Sequence, residues 1–349
     1  MNPLRKRRSK IGLALGSGAA RGLAHIGVLK ALRERGISVD IIAGSSMGAL
    51  VGACYARKKE IAGFEEVVLK TDWKRLARLA DPNLALLFKG IIHGKKVKEL
   101  LRALIGDVEF KDLEIPLAVV AADVNTGEEI VIKEGSVVEA VRASISIPAI
   151  FTPVKFSFRD KDGLGEKKRF LIDGGIVNPV PVDIAKKMGA AFIIASNIIH
   201  KPKKRKSPDR TKKRKLSVPI SLAQKMSVIS SKNPALTALN SKINQLIREN
   251  KDKIQGFRGV SEIFKKMTAK GSQRIDPATP NIFDTIVQAI YTMEYELVKL
   301  RIKEADVVIN PATGRIGSLE FYKGQEAILE GYKAVMKEKQ LNSFDTKAG

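Results

Sequence analysis

The chain has 349 residues, 44% of them hydrophobic and 28% charged, which is apolar matter enough for one large α/β domain or two ordinary ones. The lone cysteine, Cys54, excludes an intrachain disulfide, and one cysteine with three histidines leaves too few ligands for a structural zinc site. The net charge of +25 is uneven: residues 1–10 hold five basic side chains and no acid, and residues 201–215 hold ten against the single acid Asp209. Such blocks read as solvated tails or linkers with an attraction to polyanions, either nucleic acid or an anionic membrane surface. No apolar run approaches the ~18 residues that a spanning helix needs. The start imitates a signal peptide, but its apolar part is short and reads as mature protein, expected in the cytoplasm with peripheral contact at the inner membrane surface.

Residues 11–15 (Ile-Gly-Leu-Ala-Leu) form an apolar run that predicts a buried strand. Gly16-Ser17-Gly18-Ala19-Ala20-Arg21-Gly22 follows, and then Leu23, Ile26, Leu29 and Leu32 at helical spacing, with Gly36 as the stop. A glycine-rich loop thus leads into a helix N-terminus, where backbone N–H groups lack partners and attract an anion. Three chemistries compete for it. A dinucleotide fingerprint needs its third glycine at Arg21, one position too early for Gly22. A phosphate-binding loop needs a Gly-Lys-Ser/Thr ending, where this chain has Arg21-Gly22-Leu23. An oxyanion hole needs only small residues and free amides, and it fits best: the loop from Gly16 through Arg21, with Gly18 and Ala19 as donors, completed by the Met47 amide. Arg21 either adds positive charge there or lies on the helix surface.

The next strand explains why Met47 belongs with this loop. Val39-Asp40-Ile41-Ile42-Ala43 is again apolar and breaks at Gly44-Ser45-Ser46-Met47-Gly48 before small, helix-compatible residues. This is G-x-S-x-G between strand and helix, the setting of a nucleophile elbow, with Ser46 at the tip. Gly44 and Gly48 leave room for the sharp turn.

Farther on, residues 116–122 predict a buried strand ending at Asp123, which reads as the holder of its own turn before Gly127 and less readily as a catalytic acid. Ala143-Ser144-Ile145-Ser146-Ile147-Pro148 comes next, with Ser144 and Ser146 read as structural. A hairpin-like passage then ends at Asp173-Gly174-Gly175. Residues 190–199 predict another strand, and His200 follows it. Ser46, Asp173 and His200 reproduce the chain order of an α/β-hydrolase triad, although His200 opens the basic run and makes a poor platform.

Leu13 to Leu29, Gly44-Ser45-Ser46-Met47-Gly48, the Ala-Ser-x-x-x-Pro stretch and Asp173-Gly174-Gly175 together resemble the patatin-like phospholipase family. That resemblance implies a three-layer α/β/α fold with a mostly parallel sheet, and acyl hydrolysis by a Ser–Asp dyad without histidine. It makes Asp173 the partner of Ser46 and gives the glycine-rich loop the oxyanion. No metal or cofactor is implied, and the substrate would be a phospholipid, lysophospholipid or other lipid ester. Ser17 and Ala19 replace glycines of the commoner loop, a minor departure where backbone amides make the contacts.

The expected organisation is a basic tail over 1–10, a catalytic core over 11–200, a basic linker over 201–215, a helical cap or lid over 216–280, and a helix–strand–helix completing the core over 281–340. The helix from 281 is expected to bury a stripe of Ile286, Ile290, Met293, Leu297 and Leu300. Two other functions share the residues: a thioesterase or acyltransferase using the same nucleophile, and a nucleic-acid or anionic-surface binder with an inactive core. The basic run lacks interleaved aromatics for base stacking, so nucleic acid is the weaker partner.

Overall fold

β1 (Ile11–Leu15), β2 (Ile41–Ser45), β3 (Leu117–Asp123), β7 (Phe192–Ser196) and β8 (Val307–Ile309) are short apolar segments that the fold buries on both faces. In the computed structural model, which describes residues 9–70, 94–159, 166–201 and 282–342, they pair in parallel as β3-β2-β1-β7-β8. Continuous apolar character is what a parallel strand covered on both faces requires. Three further strands, β4 (Glu129–Ile132), β5 (Val154–Arg159) and β6 (Glu166–Asp173), add an antiparallel wing and complete an eight-stranded sheet.

Alternation along the strands divides the core in two. Leu13, Leu15, Ile42, Val119 and Ile194 point to one side, against α1 (Ala24–Glu34), α2 (Met47–Ala56), α5 (Val137–Ser144) and α8 (Gly324–Lys337). Ala14, Ala43, Ala118, Val120 and Ala195 point to the other, where α6 (Val182–Lys187) and α7 (Ile282–Arg301) pack. Small residues dominate the second face, so its helices approach the sheet closely. The architecture is α/β/α in three layers, as the sequence implied. α3 (Ala62–Lys70) and α4 (Gly94–Ile105) complete the described helices.

One expectation fails in α7. Met293 and Leu300 are 55% and 64% exposed, and Ile286 is 37% exposed, whereas Glu294 and Val298 are buried. The helix therefore turns its Tyr291, Glu294 and Val298 edge inward, because that edge meets the β6 turn and the end of β7. The expected linker lies outside the described residues apart from Lys201, and the expected cap over 216–280 lies wholly outside them. Among the described residues, no helix is long and apolar enough to cross a membrane.

The register of the wing decides which residues come together at the strand ends. Val119 and Val120 pair with β2 on one side and β4 on the other, while Ala121 and Ala122 pair with β4 and β6. β6 thus takes over the edge of β3 that β2 vacates after Ser45. Ser45 lies opposite Val120, and Asp173 lies opposite Ala121. The two strand ends meet head to head at adjacent rungs of one neighbour.

Candidate active site

Ser46 occupies the turn between β2 and α2 with φ 53° and ψ −120°, a conformation a non-glycine residue adopts only when its surroundings enforce it. The enforcement is visible. The Ser46 N–H donates to Ser144 Oγ at 2.8 Å, and that hydroxyl donates onward to the Val120 carbonyl at 2.5 Å. A Cβ on Gly48 would lie 2.1 Å from the Leu15 carbonyl oxygen, so only glycine lets the elbow pass over β1. Gly44 is confined in the same way by Ala49 of α2. Ser144 is structural, as the sequence suggested, and its task is now defined: it fixes the backbone of Ser46.

The head-to-head strand ends place Asp173 beside this serine. Ser46 Oγ donates to Asp173 Oδ2 at 2.6 Å, and Asp173 Oδ1 accepts the Gly175 N–H at 2.8 Å. Gly174 permits the approach, because a Cβ there would sit 2.2 Å from the Val120 carbonyl oxygen. Ser46 and Asp173 are 4% and 3% exposed. Burial pushes the Asp173 carboxyl up to about 7, against the opposing pull of its bonds to Ser46 and Gly175. A carboxylate so raised can take a proton from an alcohol near neutral pH, which an ordinary aspartate does poorly.

His200 is not part of this pair. Its Nε2 lies 3.1 Å from Thr313 Oγ1, and its backbone N–H and C=O both bond the Tyr291 hydroxyl. The side-chain oxygens of Ser46 and Asp173 bond each other and the Gly175 N–H. Asp123 holds its own turn through the Asn125 N–H and faces Arg169, again away from the serine.

The glycine-rich loop forms a short 3-10 turn, Ala19–Leu23, ahead of α1. It narrows the set of donors expected from sequence. The Gly16 and Ser17 amides already bond the carbonyls of Ser196 and Pro179, at 3.1 and 2.8 Å, and the Arg21 amide bonds Gly18 at 3.1 Å. Although they belong to the loop expected to form the oxyanion hole, these three amides cannot donate to it: their acceptors come from the loop after β6 and from the end of β7, or from the glycine-rich loop itself. The amides of Gly18, Ala19 and Met47 have no acceptor among the described residues. Positive φ at Gly18 (150°) and Ala19 (49°) bends that section of backbone away from its flanking bonds. The Arg21 side chain donates through Nε to the Ile316 carbonyl at 2.6 Å and stacks its guanidinium 4.4 Å over the Tyr291 ring, while one terminal nitrogen is buried with no hydrogen-bond partner among the described residues.

Two residues to which the sequence reading gave no role complete the corner. His25 is fully buried in α1, with Nε2 2.8 Å from the Gly16 carbonyl and Nδ1 2.9 Å from Ser196 Oγ. Burial lowers it to about 4, so the ring is neutral; Nε2–H donates to Gly16 and Nδ1 accepts from Ser196. Its signal in the sequence is a histidine on the apolar face of a predicted helix. Glu294 of α7 is 8% exposed and accepts the Ser17 hydroxyl at 3.0 Å. Its signal is an acid on the same helical edge as Tyr291 and Val298.

Comparison with known proteins places the chain in a family. The patatin-like phospholipase family model matches residues 13–186. An uncharacterized NTE family protein of Mycobacterium tuberculosis is 38% identical over 191 residues, 54% of this chain and 49% of its own length. Human patatin-like phospholipase domain-containing protein 6 and the Drosophila melanogaster neuropathy target esterase sws are each 34% identical, again over 54% of this chain but only 13% of theirs. The chain thus spans about half the length of the mycobacterial relative and a small part of the animal ones.

Proposed function

Since residues 13–186 of this chain belong to the patatin-like phospholipase family, we propose that the protein is a serine acyl hydrolase acting on lipid esters. The observation that carries the reading is the 2.6 Å hydrogen bond from Ser46 Oγ to the buried Asp173 carboxyl. Ser46 Oγ attacks the ester carbonyl while its proton passes to Asp173 Oδ2. Negative charge on the former carbonyl oxygen is met by the Gly18, Ala19 and Met47 amides, each such donor contributing about 3 kcal/mol to the transition state. Collapse expels the alcohol, which takes the proton back from Asp173. Water then enters and gives a proton to Asp173 as its oxygen bonds the acyl carbon; the bond to Ser46 Oγ breaks, Oγ takes that proton back from Asp173, and the acid leaves.

The substrate class is phospholipid or lysophospholipid, with phospholipase A specificity, in keeping with the family and with an esterase among the relatives. Basic residues over 1–10 and 201–215 draw the protein to anionic bilayers as a peripheral partner. Transfer of the acyl group to an acceptor other than water, or cleavage of a thioester, would use the same steps.

A fluorophosphonate probe and short p-nitrophenyl esters test the reading. Wild type should be labelled and active, Ser46→Ala unlabelled and inactive, and His200→Ala still active. Equal labelling of wild type and Ser46→Ala would overturn the nucleophile; collapse of His200→Ala would overturn the dyad.

A further inference from the structure

Glu294 approaches the dyad from the opposite side of the glycine-rich loop. Its Oε1 accepts the Ser17 hydroxyl at 3.0 Å and lies where a Cβ on Gly175 would be only 2.1 Å away. Ser17 directly precedes Gly18 and Ala19, and the Gly175 N–H holds Asp173 Oδ1. One carboxyl therefore touches both halves of the centre: the loop proposed to bind the oxyanion and the turn that carries the base. Its charge balance is unusual. The groups facing it are Asp173 from β6, Ser17 and Arg21 from the loop, and Tyr291 from its own helix. The one cation among them, Arg21, bonds Ile316 and stacks on the Tyr291 ring, and its charge pulls the Glu294 carboxyl down less than burial and Asp173 push it up. An ionised carboxylate with a single hydroxyl donor in so buried a place would be poorly compensated.

Building on the hydrolase reading, we propose that Glu294 is a positioning residue of the Ser46 centre: as a neutral acid it ties Ser17 to the Asp-Gly-Gly turn, and its ionisation shuts the centre down. Burial first, and the Asp173 charge second, raise its carboxyl to about 8. The two buried acids face each other, so the second of them to ionise does so against the charge of the first. Once Glu294 also ionises, a negative charge stands one residue from the Gly18 amide. It opposes the oxyanion forming there, and activity falls. The pair thus gives a bell: its first ionisation sets the ascending limb and its second the descending one.

The test is the pH profile of kcat/KM on a p-nitrophenyl ester, with fluorophosphonate labelling rates as a second readout, for wild type, Glu294→Gln and Glu294→Ala. Glutamine keeps an acceptor for Ser17 and cannot ionise. Its profile should keep the ascending limb and lose the descending one, so that the rate at about pH 9.5 relative to about pH 7.5 rises roughly tenfold over wild type. Glu294→Ala should lose activity about tenfold or more across the range, because Ser17 is released. A Glu294→Gln profile with the wild-type descending limb overturns the role of Glu294 and leaves the hydrolase reading standing. A wild type no more reactive than Ser46→Ala overturns that reading, and the role of Glu294 with it.

Discussion

The two halves of the sheet are built by different rules, and the candidate site lies on their seam. In the parallel half, alternate residues of β2 are buried alike: Ile42 on one face and Ala43 on the other are both fully enclosed. In the antiparallel wing, alternate residues of β6 differ: Leu171 is fully buried and Phe170 is 45% exposed. The parallel half supplies a rigid elbow and the wing supplies an acid. Neither half holds both, so the pairing of Ser46 with Asp173 depends on β6 docking onto the last rungs of β3. The serine end is fixed by packing on two faces, and the acid end by register on one edge.

The largest effect should come from removing the acid without disturbing that register. Asp173→Asn is expected to cut kcat/KM by about 10²–10⁴-fold, the usual cost of a lost general base. It should also stabilise the protein at neutral pH. Because burial raises the Asp173 carboxyl from 3.8 to about 7, the folded state holds a proton between those values that the unfolded chain releases. Stability from this group is therefore greatest below about pH 4 and falls as pH rises to about 7. Asparagine removes that loss, so thermal melts should show the variant ahead of wild type at neutral pH and level with it in acid. A variant less stable at both would show that the acid end needs the carboxylate for its register.

Next come the two glycines of the seam. Gly48→Ala drives a Cβ to 2.1 Å from the Leu15 carbonyl, and Gly174→Ala drives one to 2.2 Å from the Val120 carbonyl. Both neighbours are backbone of central strands and cannot yield cheaply, so each substitution should cost at least about 3 kcal/mol by urea unfolding. If the wing alone adapts, Gly174→Ala will fold and stay inactive, whereas Gly48→Ala will fail to fold.

Ser144→Ala should have a smaller, mixed effect. It leaves the Ser46 N–H and the Val120 carbonyl without their shared hydroxyl, at a cost of about 1–3 kcal/mol. The strained Ser46 backbone then has one restraint fewer, and activity should fall more than stability alone explains. Activity equal to wild type would mean that the glycines alone hold the elbow.

How far the sequence discloses this arrangement follows the same division. Parallel strands covered on both faces read as plain apolar runs, and 11–15, 39–43, 116–122 and 190–199 each fall within two or three residues of a strand at one end or both. β4 has four residues and begins with Glu129, and β6 opens Glu-Lys-Lys-Arg, so neither looks like core. Asp173 is legible through its family likeness, because strand register is not written in local periodicity. The amide donors are legible only as a loop: the bonds that remove Gly16 and Ser17 come from residues about 180 and 160 positions away in the chain. The helix edge bearing Glu294 is hidden because Tyr291 and Glu294 share it with a single buried aliphatic residue, Val298, while Met293 and Leu300 face out.

The smallest effect should come from the outer face of the wing. Phe170→Ala removes a half-exposed ring and should change stability by less than about 1 kcal/mol, with activity unaltered. Its neighbour Leu171→Ala empties a fully buried site two residues before Asp173 and should cost about 2–5 kcal/mol. The difference between two adjacent residues is the measure of one-sidedness in β6. Were Phe170→Ala as costly as Leu171→Ala, something would cover the outer face in solution, and the acid end, like the serine end, would be held from both sides.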